Sequence, residues 1–370
     1  MSTPQTPLLD KHRAAGAHLA QEALWQMPLR YRGALEEVHE IRTRAGIFDV
    51  THTGRIRVRG DGALDLMERV CTADVARQED DTAVATPLCN AAGGIMDLCH
   101  LLRLEDSWLV LTSPDNRHKI LDHLESLAEG HGAKVDDQTE KTVMLSIAGP
   151  RAAGMLDCVL PEKVSAMAPL ACKTGSFLVA RYIVARISDC GEWGLYVVLP
   201  NLFAGQAWRF ITERAGENII APAGLAARDV MRLEAGLPRY GYELNETIDP
   251  FAAGLGDAVA LNHNFIGRDA LAAIKNTSPA RRLGGVVLKP AAAQLGTGQA
   301  IIPRQGAVVL RADGSECGAV TSAAYSPTLD KVIALAYLAG DCLAPATALA
   351  VDFDDKTCPA ETGELPFYRA

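Results

Sequence analysis

The chain has 370 residues, of which 48% are hydrophobic and 22% charged, and it carries a formal net charge of −9. That length is too great for one ordinary core and predicts two or three domains. The acidic balance argues against a general nucleic-acid binder, because phosphate contacts need a basic face, and aromatics at 5% offer no stacking platform for single strands. No apolar stretch approaches the ~20 residues of a membrane helix. The start, MSTPQTPLLDKHRAAGAH, has neither an apolar signal core nor transit-peptide character. Nine cysteines are scattered without a CxxC, which predicts reduced thiols in a cytoplasmic protein and no zinc or redox pair.

In chain order, IRVRG (56–60) reads as a strand and ALDLMERVC (63–71) as a helix. WLVLTS (108–113) is strand-like. RHKILDHLESLAEG (117–130) is helical, with Ile120, Leu121, Leu124 and Leu127 on one face. TVMLSIAG (142–149) reads as a strand running into a Gly-Pro turn, with a helix after it. FLVARYIVARI (177–187) and GLYVVL (194–199) read as strands on either side of the loop SDCGEWG. Residues 201–216 and 224–235 have amphipathic helical spacing. NTSPARR (276–282) reads as a linker. After it come short strand-like runs at 284–289, 307–312, 319–325, 331–338 and 347–353. The expectation is a mixed α+β region followed by a smaller, strand-rich C-terminal domain.

Several residues are candidates for chemistry. Asp97, in NAAGGIMDLCH, follows two glycines that permit close backbone approach. Its carboxylate either faces a ligand in a cleft or sits solvated at a turn, and pattern alone favours the turn. Glu192, in CGEWG, is a hairpin-loop residue or a carboxylate at a pocket mouth, suited to a ring with adjacent N–H donors. Arg228 and Arg232 share a helix face. They could hold a carboxylate ligand, clamp Glu192 in a buried ion pair, or simply bridge Asp229 and Glu234 at the surface. His39, His52 and His100 lack metal-ligand spacing and read as ordinary polar or core histidines. No nucleophile elbow, P-loop or GxGxxG motif occurs.

Taken in order, the segments resemble the aminomethyltransferase (T-protein) family of the glycine cleavage system and its folate-dependent relatives. The resemblance runs through TPLLDKHRAAGA (6–17), MPLRY (27–31), AGIFDVTHTG (45–54), NAAGGIMDLCH (90–100), AGP (148–150) and CGEWG (190–194). GLAARDVMRLEAGLPRYGYELNETIDPFAAGLG (224–256) is its longest block, followed by FIGRDAL (265–271) and AVTSAAYSPTLDKVIALAYL (319–338). It implies an α+β fold, a three-domain cloverleaf or ring around a central folate channel. Residues 1–275 would form the folate-binding region of two intertwined α+β subdomains, and 283–370 a barrel-like C-terminal domain. It implies tetrahydrofolate as cosubstrate and a lipoylated carrier, the H-protein, as partner. It further implies Asp97 as catalytic acid, Glu192 at the pterin edge, Arg228 pairing nearby, and Tyr240 in a binding or structural role.

Departures from the family pattern are visible. Thr53 stands where the family has methionine. GGIMDL keeps the first of two adjacent acids and has Leu98 at the second. LTSPDN lacks the usual asparagine, which leaves Thr112 or Ser113 to substitute. Asp189 and Trp193 replace a tyrosine and an acid. Two other readings therefore stand beside the aminomethyltransferase: a tetrahydrofolate-dependent demethylase of a small N-, O- or S-methyl compound, and a non-enzymatic folate-binding accessory protein. The accessory branch usually carries a functional cysteine where this chain reads NHNFIG (262–267).

Overall fold

The computed structural model describes residues 4–177, 179–214, 219–277, 279–289, 301–354 and 356–370. Its described strands form a hairpin (His18–Glu22 with Trp25–Arg30), two open sheets and a closed barrel. The five-stranded sheet is antiparallel, in the order Thr82–Cys89, Ile95–Leu104, Ser107–Thr112, Gly54–Arg59, Lys134–Asp137. Its strands alternate sides, as a two-residue period requires. Leu101 pairs with Val110 on one face and Leu102 with Leu109 on the other. The first face packs under the helices Ala63–Val70 and Arg117–His131 through Leu66, Met67, Val70, Ile120 and Leu124. Each of these large side chains contributes about 1.5–3 kcal/mol by leaving water. Gly132, at φ 69°, ends the second helix in the left-handed conformation that only glycine adopts freely.

The six-stranded sheet runs Cys172–Phe177, Ala180–Ala185, Gly194–Pro200, Thr142–Ala148, Gly46–Asp49, Ala221–Pro222, with only the last pair parallel. The barrel closes in the order Arg281–Leu288, Lys331–Ala339, Glu316–Ser326, Val308–Arg311, Ala348–Phe353, Lys356–Gly363. One core joins all three bodies. Leu102, Leu109 and Leu111 enter it from the five-stranded sheet, Phe48, Met144 and Val198 from the six-stranded sheet, and Ile333 and Leu335 from the barrel. The helix Leu225–Glu234 supplies Val230, Met231 and Leu233 to the same core. The architecture is α+β, with three sheet bodies around a shared centre.

Four local expectations change. FLVARYIVARI is not one strand: Phe177 ends one strand and Ala180 starts the next, with Val179 85% exposed between them. Leu178 lies outside the described residues. The helix at 201–216 is regular only over Asn201–Arg209 and continues in wider π-type turns through Phe210–Arg214, and 215–216 lie outside the described residues. The end of NTSPARR is not linker, because Arg281 and Arg282 already form the exposed end of a barrel strand. Ser278 lies outside the described residues. The barrel strand Lys356–Gly363 has no apolar run, and its inward positions are the small residues Cys358, Ala360 and Thr362.

Candidate active site

The turn before Asp97 is built by its two glycines. Gly93 has φ +86°, and a Cβ on Gly94 would lie 1.8 Å from the Glu246 carbonyl oxygen. The Gly94 contact fixes the turn against the 245–248 segment, where Ile95 N–H also donates to Ile248 C=O. Asp97 is the third residue of the Ile95–Leu104 strand and is 0% exposed. It pairs across with Leu88 and lies on the side of Cys99 and Leu101, the helix-covered face. Oδ2 accepts the Ser113 backbone N–H at 2.8 Å, and Oδ1 accepts Asn116 Nδ2 at 3.0 Å. The Asn116 amide also donates to Met96 C=O at 3.1 Å, and the Cys99 thiol stands 3.6 Å from Oδ2. Burial lifts the Asp97 carboxyl above the usual carboxylate range, while the bonds from Ser113 and Asn116 hold it back.

Of the two readings of Asp97, the structure removes the solvated turn residue, because the side chain is 0% exposed. Both of its oxygens accept bonds from protein donors. These bonds hold the Ser113–Asn116 turn against the strand. Period-two alternation sends Leu98 and His100 to the opposite face, the one that carries Leu102 into the shared core. Asn116, which the sequence reading did not single out, is the side chain that ties Asp97 to the start of the Arg117–His131 helix.

Of the two residues offered for the missing asparagine, Ser113 contributes its backbone N–H to Asp97. Thr112 is 2% exposed, spends its hydroxyl on the Ser113 carbonyl and packs against Gly54. Thr53 is half-buried, and its hydroxyl bonds no residue among those described; its backbone carbonyl accepts Arg55 Nη1. Tyr240 accepts a bond from Lys119 Nζ at 2.9 Å, with the ammonium 4.4 Å from its ring centre, and Lys119 also pairs with Glu246 at 2.9 Å. Tyr240 thus ties the Arg117–His131 helix to the segment after the Leu225–Glu234 helix.

Glu192 lies in a buried ion-pair network, but its partner is not Arg228 or Arg232. Arg42, from the helix Ala34–Thr43, donates Nη1 to Glu192 Oε1 at 2.9 Å and Nη2 to Glu234 at 2.5 Å. The three side chains are 6%, 3% and 0% exposed. Tyr368, near the C-terminus, also donates to Glu192 Oε1 at 3.0 Å, and its ring lies 4.0 Å under the Arg42 guanidinium. Glu192 Oε2 takes no bond among the described residues. Burial works against the Arg42 charge, but Glu234 and then Glu192 outweigh it and raise its pKa. Neither Arg42 nor Tyr368 carried a signal in the sequence, because their meeting joins three distant segments.

Arg228 instead pairs with Asp189, with Nε at 2.7 Å and Nη2 at 2.6 Å from Oδ2. Tyr196 O–H donates to the same oxygen at 2.9 Å. Arg232 is buried rather than at the surface, and pairs with Glu243 at 2.8 Å and with Asp229 at 2.9 Å. His100 meets the Tyr196 ring edge-on at 6.5 Å, which links the Ile95–Leu104 strand to the Asp189 cluster. His52 is 3% exposed, its Nδ1 has no hydrogen-bond partner among the described residues, and its pKa is pushed down to about 3 by burial and then by Arg228. Burial and Arg228 also lower His100, against Asp189. Both rings are neutral at pH 7. The site thus has two polar clusters on one loop: Asp189–Arg228–Tyr196 and Glu192–Arg42–Tyr368. No group of three potential metal ligands occurs among the described residues.

Comparison with known proteins finds matches along nearly the whole chain. Residues 8–263 match the family model of the GCVT N-terminal domain, and residues 281–369 that of the glycine cleavage T-protein C-terminal barrel domain. An aminomethyltransferase of Saccharopolyspora erythraea is 36% identical over 100% of this chain and 99% of its own length. One of Moorella thermoacetica is 34% identical over 99% and 98%. The crystal structure of the glycine cleavage system aminomethyltransferase T from Bartonella henselae superposes with a TM-score of 0.89 at 29% identity, covering 99% of this chain and 98% of that one. The chain belongs to the glycine cleavage T-protein family of aminomethyltransferases.

Proposed function

We propose that this chain moves a one-carbon unit from the aminomethyl group on a carrier protein's lipoyl arm to tetrahydrofolate. The products are methylenetetrahydrofolate, ammonia and the dihydrolipoyl carrier. The observation that carries the folate reading is Glu192. Its Oε1 is fixed by Arg42 and Tyr368, while Oε2 is left as an acceptor. A carboxylate held this way can accept bonds from the adjacent N–H donors of a pterin ring, so the residues fit the cosubstrate. Arg228, with its guanidinium fixed by Asp189, offers a donor to the same ligand. Tetrahydrofolate supplies the accepting nitrogens; the protein's part is to orient them against the donor and exclude water, which is where most of the rate arises.

In this reading residues 1–275 hold the folate and 283–370 carry the barrel. The partner is a lipoylated carrier, neither nucleic acid nor membrane is bound, and the protein works in the cytoplasm. No helix among the described residues is long and apolar enough to cross a membrane. A folate-dependent demethylase is the second reading. It is favoured by the apolar Leu98 and the Asp189–Arg228 pair, which reshape the donor end of the site. Calorimetric titration of tetrahydrofolate, repeated with Glu192→Ala, tests the folate reading. Binding weakened at least about tenfold by the substitution supports it, and absence of binding overturns it. Turnover with an aminomethylated lipoyl carrier then separates the two donors.

A further inference from the structure

The barrel strand Lys356–Gly363 ends in a glycine, and Gly363 stands directly across from Gly285 on the neighbouring strand Arg281–Leu288. Two glycines side by side leave a patch of bare backbone, which in a strand marks the close approach of another group. That group is the ring of Phe367. A Cβ on Gly285 would lie 2.7 Å from its Cζ, and a Cβ on Gly363 would lie 2.8 Å from its Cε1. The chain thus folds back onto its own barrel, and an aromatic ring covers what the glycines leave open.

From there the segment reaches the end of the Leu225–Glu234 helix. Leu365 packs on the turn at Gly236, where a Cβ would lie 3.2 Å from Leu365 Cδ2. The Tyr368 N–H donates to the Glu234 C=O at 2.8 Å. Leu365 and Phe367 both pack against the shared core. Tyr368 is thereby delivered to the second polar cluster, with its hydroxyl 3.0 Å from Glu192 Oε1 and its ring under Arg42. The barrel also reaches this cluster through Ser326, which donates to Glu234, the other carboxylate on Arg42. Of the two routes, the one through Tyr368 ends on Glu192 itself.

A single backbone bond at Tyr368 fixes one point of the segment and leaves its direction free. The Phe367 ring, seated on the glycine pair, supplies a second fixed point next to it. Without that seat Glu192 Oε1 is left to Arg42, and the carboxylate gains freedom to turn. We propose that Phe367 is a positioning residue for Glu192. Its ring locks the segment on the barrel, the lock keeps the Tyr368 hydroxyl on Oε1, and Oε2 is thereby aimed at the pterin edge. The proposal rests on the folate reading above and gives the barrel a part in setting folate affinity.

The test is a calorimetric double-mutant cycle on the intact protein, with tetrahydrofolate as the probe. Phe367→Ala should weaken binding about two- to tenfold, the worth of one hydrogen bond, and Tyr368→Phe by a similar factor. The double variant should bind within about twofold of Tyr368→Phe alone, because the ring acts through that hydroxyl. Phe367→Leu, which keeps the glycine pair covered, should recover most of the affinity. Unchanged affinity in Phe367→Ala, whatever its stability, overturns the proposal, and so do losses that multiply in the double variant. Failure of the wild-type protein to bind tetrahydrofolate overturns the folate reading instead, and this proposal with it. Should Phe367→Ala not fold, Phe367→Val, which leaves part of the patch bare, carries the same cycle with the same outcomes.

Discussion

Asp97 and Asp189 are both carboxylates taken largely out of water, and they are held in opposite ways. Asp97 is surrounded by neutral donors, a backbone N–H and an amide, on a helix-covered face with no opening. Asp189 is held by a guanidinium, in partial contact with solvent. Neutral donors leave desolvation in control and Asp97 rises; a guanidinium reverses the balance and Asp189 falls. The same side chain is thus tuned in opposite directions by the charge of the donor that holds it. In a strand, one position changes the side on which a residue acts.

The largest expected effect lies outside both aspartates, at the cation that serves the second cluster. Arg42→Ala leaves Glu192 and Glu234 buried without a counter-charge, which should cost about 3–5 kcal/mol in urea unfolding. A loss near that of a surface ion pair would mean that the cluster is wetter than its burial indicates. Next, Asp97→Asn should destabilise by about 1–3 kcal/mol, because the Ser113 N–H or the Asn116 amide then faces a donor. Folate affinity should stay within about twofold. If binding falls while stability holds, Asp97 belongs to the ligand site after all and the comparison breaks.

The pH dependence sharpens the same contrast through its sign. Asp97 has a raised folded pKa, so its contribution is fully present below the unfolded value and is lost as pH rises through the folded value. Asp189 has a lowered one, so its contribution is present above the unfolded value and is lost as pH falls through the folded value. Denaturation from neutral pH down to about 4 should therefore show the wild-type protein gaining stability relative to Asp97→Asn. Below about 4 it should lose stability relative to Asp189→Asn. Equal slopes in both comparisons would refute the assignment. The smallest effect is Tyr368→Phe, which removes one hydrogen bond to Glu192 and should cost about 0.5–1.5 kcal/mol. A several-fold loss of tetrahydrofolate affinity should accompany it, and unchanged affinity would show that Arg42 suffices to orient Glu192.

The amino-acid sequence by itself determined the elements whose physics is local. The helix Arg117–His131 was legible because Ile120 and Leu124 recur at helical spacing and a glycine follows. The barrel was legible as a series of short strands, except for Lys356–Gly363, whose inward side chains are too small to mark a pattern. Gly93 and Gly94 announced a tight approach before the acid. The loop carrying Glu192 and the helix carrying Arg228 were both marked as candidate site elements, and the ordered motifs pointed to the family.

Only the tertiary structure decided which side chains meet. Glu192 and Arg42 are 150 residues apart, Glu192 and Tyr368 are 176 apart, and Asp189 and Arg228 are 39 apart. No spacing rule spans such separations, because the pairing depends on how two sheets and a barrel pack around one core. The face that Asp97 presents was decided by the register of its strand with Leu88 and by which side the helices cover. Propensity and periodicity describe a segment's own backbone; a buried charge finds its partner only after the segments are packed, when desolvation penalises every arrangement that leaves it alone.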